Sequence, residues 1–339
     1  MKIDRELLTL GIETSCDETS ASVTRGGRHV LSNVISSQIH VHEAFGGVVP
    51  EIASRHHLTQ INAVIDTAMK DAGVAFPDLD LIGVTEGPGL VGAVLIGLST
   101  AKAMALALDK PLVGVHHIKG HICAAYLEHE ELSPPLLSLV VSGGHTYLID
   151  VRDHQNFEIL GRTRDDAVGE AFDKVARVLG LGYPGGPKVD EAARRGNPEA
   201  VAFKRVMLEK DSLDFSFSGI KTGVLNYVNT ERQAGRPINL ADVAASFQAS
   251  VVDVVVAKTQ LAIDRAGYKT LTVGGGVASN SLLRRRLTEA CDAAGVKLYI
   301  PSPIFCTDNA AMIACAAHCD YIAGKVSSLN LDAKANFQL

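Results

Sequence analysis

Apolar and polar positions alternate or cluster in two kinds of unit, and each kind occurs twice. Leu7 to Thr24 (LLTLGIETSCDETSASVT) runs from an apolar stretch through a polar turn into strict alternation. Leu136 to Val151 (LLSLVVSGGHTYLIDV) repeats that order around the turn Ser142-Gly143-Gly144-His145-Thr146. Both patterns predict a β-hairpin whose turn faces outward. Leu81 to Ala107 and Thr270 to Leu287 read differently: a β-branched run stops at glycines and a helical period begins. Amide groups at such a helix start can hold an anion. A short strand follows each, Pro111 to Val115 and Lys297 to Ile300, with a helix after it.

The order hairpin, glycine loop, strand and helix therefore appears twice. The spacing between hairpin and glycine loop is longer in the second half, so that half carries an insertion, best placed at about 161–236. These patterns predict an α/β protein of two duplicated lobes; the arrangement resembles the actin-, sugar-kinase- and chaperone-like ATPases, which implies ribonuclease-H-like (actin-like ATPase) lobes around a central cleft. The lobes fall at 1–132 and 133–325, with a tail at 326–339. The alternative is one doubly wound nucleotide-binding domain plus a second domain. Gly87, Gly89 and Gly92 have the G-x-G-x-x-G spacing that this alternative needs, but not at the first strand, and the motif alone is weak.

Composition narrows this picture. The 339 residues are 47% hydrophobic but only 5% aromatic, with no Trp and 31 Gly. Small side chains let backbones approach one another and approach ligands. Lys and Arg total 32 against 38 Asp and Glu, a net charge of −6, which excludes an autonomous basic nucleic-acid binder. Basic clusters at Arg162 and Arg164, Arg194-Arg195, Lys204-Arg205 and Arg284 to Arg286 read as solvated surface or as a local basic rim. Six cysteines without C-x-x-C pairing, and a start that lacks a signal-peptide pattern, point to a reduced, cytoplasmic protein. Leu90 to Leu108 is nearly long enough to span a bilayer, but Lys102 lies inside it, so a buried helix is expected and no membrane partner.

The chemistry centres on VHHIKGH (115–121). On a helix, His117 and His121 are one turn apart on one face, a bidentate frame for zinc or iron; the bland alternative is a polar face or satisfied core histidines. Asp308, in the equivalent place of the second half, is either a helix cap or a carboxylate ligand from the opposite lobe. Zinc peptidases use H-E-x-x-H, and that glutamate is missing here. Gly274 to Gly276 end a strand with three successive glycines, which favours close approach of a ligand. Asn280 either caps a helix or bonds a nucleotide, and Asp173 either pairs with Lys174 or Arg177 or binds ribose. Glu13, Asp17 and Glu18 crowd one turn, as carboxylates do around a cation, in acid–base work, or when exposed.

Taken together, GIETSCDETS (11–20), VHHIKGH (115–121), VVSGGHT (140–146), GEAFDKVARVLGLGYPGGP (169–187), DFSFSGIKT (214–222), GGGVASN (274–280) and CTDNAAMIA (306–314) resemble the bacterial tRNA N6-adenosine threonylcarbamoyltransferase (TsaD) family. The resemblance runs from about residue 8 to 325. It implies transfer of threonylcarbamoyl from threonylcarbamoyl-AMP to N6 of the adenosine beside the anticodon in tRNAs reading ANN codons, with release of AMP. It implies one divalent ion, iron (Fe2+) or zinc, at His117, His121 and Asp308. Substrate positions would be Val140, Val141, Ser142, Gly143, Gly144, Asp173, Gly186, Asp190 and Asn280. The catalytic base is unassigned. Archaeal and eukaryotic relatives have a Tyr in the strand before SGG; LLSLVV has none, which favours the bacterial branch. Implied partners are tRNA, a paralogue lacking the metal motif (TsaB-like) and a small P-loop ATPase (TsaE-like). An ATP-dependent kinase of the same superfamily and a non-catalytic scaffold are the alternatives.

Overall fold

A computed structural model describes residues 6–209 and 211–339. The chain forms β1 (Leu8–Glu13), β2 (Glu18–Arg25), β3 (His29–Ser37), α1 (Ile39–His42), α2 (Pro50–Ala72), β4 (Leu81–Gly87), α3 (Val91–Leu108), β5 (Leu112–His116) and α4 (His117–Cys123). It continues through β6 (Leu136–Val141), β7 (Thr146–Val151), β8 (Phe157–Arg162), α5 (Val168–Leu179), α6 (Gly185–Ala193), α7 (Ser218–Gln233) and α8 (Leu240–Ala266). The last elements are β9 (Thr270–Gly274), α9 (Ser281–Ala294), β10 (Lys297–Tyr299), α10 (Pro303–Cys306) and α11 (Ala310–Ile322).

Two five-stranded sheets carry the duplication. Their orders are β3-β2-β1-β4-β5 and β10-β9-β6-β7-β8, the same topology when β1 is matched to β6. In each, an antiparallel hairpin (β1 with β2, β6 with β7) is joined to parallel strands (β1 with β4, β6 with β9). The inner strands β4 and β6 are buried along their whole length, and β6 (LLSLVV) accordingly reads as a near-continuous apolar run. The insertion also has its counterpart: residues 163–239 join β8 to α8, where residues 38–49 join β3 to α2. This long connection holds α5, α6 and α7.

Two compact units result. One comprises Met1–Pro134, Arg152–Phe157 and Thr307–Leu339, and the other Pro135–Val151 and Glu158–Cys306. The sequence expectation placed 307–325 in the second lobe. In the structure α11 packs on β1, β2, β4 and α4 instead, so it belongs with the first sheet. Glycine and alanine make that packing possible. A Cβ on Gly11 would lie 2.2 Å from the Ala310 carbonyl oxygen, and one on Gly83 would lie 2.4 Å from Ala317 Cβ. The low aromatic content is thus concentrated where a helix must lie directly on a sheet. The second unit has a different core, with Phe172, Phe215, Phe217 and Phe247 fully buried.

The tail at 326–339 also joins the first unit. Ser327 N donates to Leu112 O (2.7 Å), Lys334 pairs with Glu86 (2.5 Å), and His116 Nε2 lies 3.0 Å from Phe337 O. Among the described residues two helices, α3 and α8, are long and apolar enough to cross a membrane by length and composition. Here α3 packs on α2 and β4, and α8 buries Val243, Phe247, Val251 and Val255 in the second core.

Candidate metal centre and ligand loops

The first site lies wholly within the first unit. β5 delivers the chain to α4, and His116 caps that helix by accepting from Ile118 N (3.2 Å). His117 and His121 then leave the same face with ring centroids 4.7 Å apart. Gly120, between them, sits against α11: a Cβ there would lie 2.8 Å from Ile313 Cδ1 and 3.1 Å from Met312 Cγ. This close crossing brings the residues just before α11 to the histidines. Asp308 Oδ1 is 3.5 Å from His117 Nε2 and 3.3 Å from His121 Nε2.

The two readings of Asp308 separate cleanly. The cap of α11 is Asn309, whose side chain accepts from Met312 N (3.0 Å). Asp308 is therefore released from capping and points its carboxylate at both imidazoles. The expectation that it comes from the opposite lobe does not hold, because Thr307–Leu339 belong to the same unit as the histidines.

Glu13 extends the centre. Its carboxylate is fully buried at the end of β1 and accepts from Thr85 Oγ1 (2.6 Å) and Ser15 N. Its Oε2 lies 3.1 Å from His117 Nδ1, and Ser15 Oγ is 3.2 Å from the same nitrogen. A carboxylate on Nδ1 holds the proton there and leaves Nε2 as the lone-pair donor, the usual arrangement around a ligating histidine. Burial opposes a charge on His117, but Asp308 and Glu13 outweigh it and push its pKa up to about 9. Burial alone would raise the Glu13 carboxyl; the facing His117 brings it below its ordinary value.

These residues fit a divalent cation. One ligand atom from each of His117, His121 and Asp308 falls within 4.8 Å of the others. Neither ring nitrogen of buried His121 has a well-directed hydrogen bond among the described residues, although Nε2 faces Asp308. Such an orphaned imidazole is costly unless something binds it. Once an ion displaces the proton that Asp308 and Glu13 favour on His117, two carboxylates beside two neutral imidazoles balance a charge of +2.

The other carboxylates of the first turn diverge from Glu13. Glu18 is half-buried and accepts from Ser37 Oγ (3.1 Å); desolvation, and then the neighbouring Asp17, drive its pKa well up. The sequence pattern flagged the cluster without singling out Glu13, and it missed Ser15 altogether. Their roles depend on which strand faces α4.

The second unit gathers the loop residues. Val140 and Val141 end β6 in the core, Ser142 turns the chain, and Gly143 and Gly144 are exposed with open space where a Cβ would stand. The start of α5 is tied to this turn by Gly169 N donating to Ser142 O (3.1 Å) and Glu170 N to Gly143 O (3.1 Å). Gly275 has φ 90° and lies so close to Val141 that its Cβ would come 2.3 Å from that carbonyl, so glycine is required there on both counts.

Asp173 accepts from Gly185 N (2.7 Å) and so holds the start of α6, rather than pairing with Lys174, which binds Asp166 and Glu170. Gly186 follows, again with open space at its Cβ. Asp190 accepts from Ser281 Oγ (2.7 Å) and stands 3.4 Å from Asn280 Nδ2. Asn280 is indeed a helix cap, accepting from Leu283 N (3.0 Å), and also donates to Gln248 (2.9 Å). The β6–β7 turn, the starts of α5 and α6 and the loop before α9 thus form one linked group within this unit. The basic clusters are less available. Arg284 donates inward to Ala278 O and Pro301 O, Arg164 pairs with Asp214 and Glu209, and Arg205 and Arg286 share Asp253.

Comparison with known proteins gives consistent matches. Residues 29–315 match the family described as TsaD: tRNA N6-adenosine threonylcarbamoyltransferase. A protein of that name from Clostridium beijerinckii is 53% identical over 337 residues, covering 99% of both chains. Another from Clostridioides difficile is 54% identical over 334 residues, covering 98% of this chain and 99% of its own. Among solved structures, full-length HypF in its phosphate- and nucleotide-bound form aligns with TM-score 0.63 at 16% identity, over 94% of this chain and 56% of that one. A glucokinase of the ROK family from Streptomyces griseus, in complex with glucose and AMPPNP, aligns with TM-score 0.50 at 12% identity, over 91% and 98%. At such identities the likeness concerns the fold, which is that of the actin- and sugar-kinase-like ATPases.

Proposed function

The chain belongs to the tRNA N6-adenosine threonylcarbamoyltransferase family, and we propose that it works through the His117, His121 and Asp308 centre on a threonylcarbamoyl-AMP donor. It is a transferase that modifies tRNA at N6 of adenosine. That membership sets aside the kinase and scaffold alternatives. The proposal concerns which residues do the work, and what donor, ion and partners serve them.

The observation that carries it is the convergence of three donor atoms backed by Glu13. Asp308 Oδ1 stands 3.5 Å from His117 Nε2 and 3.3 Å from His121 Nε2, and Glu13 holds His117 Nδ1 from behind. Two imidazoles and one carboxylate suit iron (Fe2+) or zinc and leave coordination positions open. An ion held by His117, His121 and Asp308 would supply a Lewis acid for the threonylcarbamoyl group. The protein residues orient it: Glu13 and Ser15 hold the His117 ring, and the crossing of α4 on α11 holds Asp308.

The AMP portion is assigned to the linked loops of the second unit. Ser142, Gly143 and Gly144 offer an exposed turn after Val140 and Val141, where a phosphate can meet backbone amides without side-chain obstruction. Gly186 at the start of α6 offers the same openness. Asp173, Asp190 and Asn280 are the polar groups for ribose and base. In the transfer, the adenosine N6 attacks the carbamoyl carbonyl carbon, the carbonyl-to-phosphate-oxygen bond breaks, and AMP leaves.

We assign tRNAs reading ANN codons as substrates, a TsaB-like paralogue and a TsaE-like ATPase as partners, and the cytoplasm as location. A net charge of −6 and the pairing of Arg164, Arg205 and Arg286 with acids support sharing tRNA binding with partners. The test is reconstitution with unmodified tRNA, threonylcarbamoyl-AMP and the partner proteins. Wild type should form the modified nucleoside. His121→Ala should lose both the ion of this centre and the product; retention of both would overturn the site.

A further inference from the structure

A second cluster lies further along the same two helices. Cys123 is the last residue of α4, and Cys315 and Cys319 are one turn apart on α11. Cys123 and Cys315 are buried, Cys319 is partly so, and their three sulfurs lie within 4.8 Å of one another. The three thiols shift one another's ionisation, and His154 adds to the lowering at Cys319.

The surroundings are not those of three inert apolar thiols. The Tyr126 hydroxyl, on a ring 1% exposed, has no hydrogen-bond partner among the described residues, nor does His154 Nδ1. The two rings stand edge to face with centroids 5.2 Å apart, and the Arg28 guanidinium lies 5.0 Å over the Tyr126 ring. Arg28 is itself anchored to the carbonyls of Glu130 and Leu132 at 2.8 and 3.2 Å. Polar groups that lack partners, next to a fixed cation, suit a site where negative charge accumulates on sulfur.

We infer that Cys123, Cys315 and Cys319 form a second metal site, taking one soft thiophilic ion such as Zn2+ or Cu+. Zinc–sulfur bonds of about 2.3 Å place thiolates sharing one ion roughly 3.8 Å apart, within the range this cluster spans. Three thiolates and no oxygen ligand select such ions over magnesium or calcium. Binding releases the thiol protons to solvent. His154 is the polar neighbour that favours charge on the Cys319 sulfur, as groups around metal ligands commonly do. The site ties the end of α4 to the middle of α11, the same two elements whose crossing assembles His117, His121 and Asp308. It stands on its own geometry and does not depend on the chemistry proposed for that first centre.

The test uses the full chain, stripped of metal under reducing, anaerobic conditions and titrated with Zn2+ or with Co2+ as a coloured stand-in. Native mass spectrometry should find two zinc ions per wild-type chain. The cobalt form should show sulfur-to-cobalt charge-transfer absorption, because only the cysteine site offers thiolates. His121→Ala should keep that absorption and one ion, whereas Cys319→Ser should lose the absorption and keep one ion. Wild-type protein that binds one ion without charge-transfer absorption would overturn the inference. So would thiol counting that finds Cys123, Cys315 or Cys319 joined in a disulfide before reduction. The comparison of wild type with His121→Ala decides the matter even where Cys319→Ser does not fold.

Discussion

Glu13 and His117 meet at 3.1 Å, carboxylate to Nδ1, although one ends the first strand and the other begins a helix more than a hundred residues later. The contact commits His117 to present Nε2 on its other side, where Asp308 and His121 converge.

Glu13→Ala should therefore weaken metal binding while sparing the three ligands. Loss of such a supporting carboxylate costs about 10–100-fold in affinity. Competition with a chromophoric chelator measures this. An unchanged dissociation constant would show that Glu13 serves only to pack the end of β1.

Asp308 and Asn309 are neighbours with separate tasks, and substitution should separate them. Asn309→Ala removes the cap of α11 and should cost about 1 kcal/mol of stability, with bound metal retained. Asp308→Ala should abolish metal binding at the histidine centre with little loss of stability in the metal-free protein. Denaturant titration together with metal analysis of both variants checks the pair.

Two glycines should respond in opposite ways to alanine. At Gly11 the new methyl meets the Ala310 carbonyl, a backbone atom that cannot swing aside, so α11 must shift. Overpacking of this kind costs about 1–3 kcal/mol and should also displace Asp308, lowering metal affinity. At Gly186 nothing stands within 4 Å, so Gly186→Ala should fold normally. If AMP binds there, calorimetric titration of Gly186→Ala with AMP should show weaker binding than wild type.

Acid stability should depend on Asp165. Its carboxylate accepts from Ser216 Oγ, Ser218 Oγ and the Phe217 amide, holding the start of α7. Burial works against its charge, but these hydrogen bonds win and lower its pKa. A depressed carboxylate stabilises the fold above its unfolded value of about 3.9, and that contribution vanishes as pH falls through the lower folded value. Asp165→Asn should thus be less stable than wild type at neutral pH, with the gap closing below about pH 4. Urea midpoints across pH measure the difference, and a gap independent of pH would rule out this role.

Much of this protein was legible in its pattern of residues. Hairpin, glycine loop and strand recur in the same order because sheet and helix periods are local properties of the chain. The pairing of His117 with His121 was equally legible, since a four-residue spacing sets one helix face. Asp308 was not: its two roles differ only in which element the helix after it packs against. Close contact at Gly11, Gly83 and Gly120 draws α11 onto the first sheet and α4, and that choice makes Asp308 a partner of the histidines while Asn309 takes the cap. Glu13 and the three clustered cysteines waited on the same packing. Local spacing determines which side chains share a face; only the crossing of elements distant in sequence decides which faces meet.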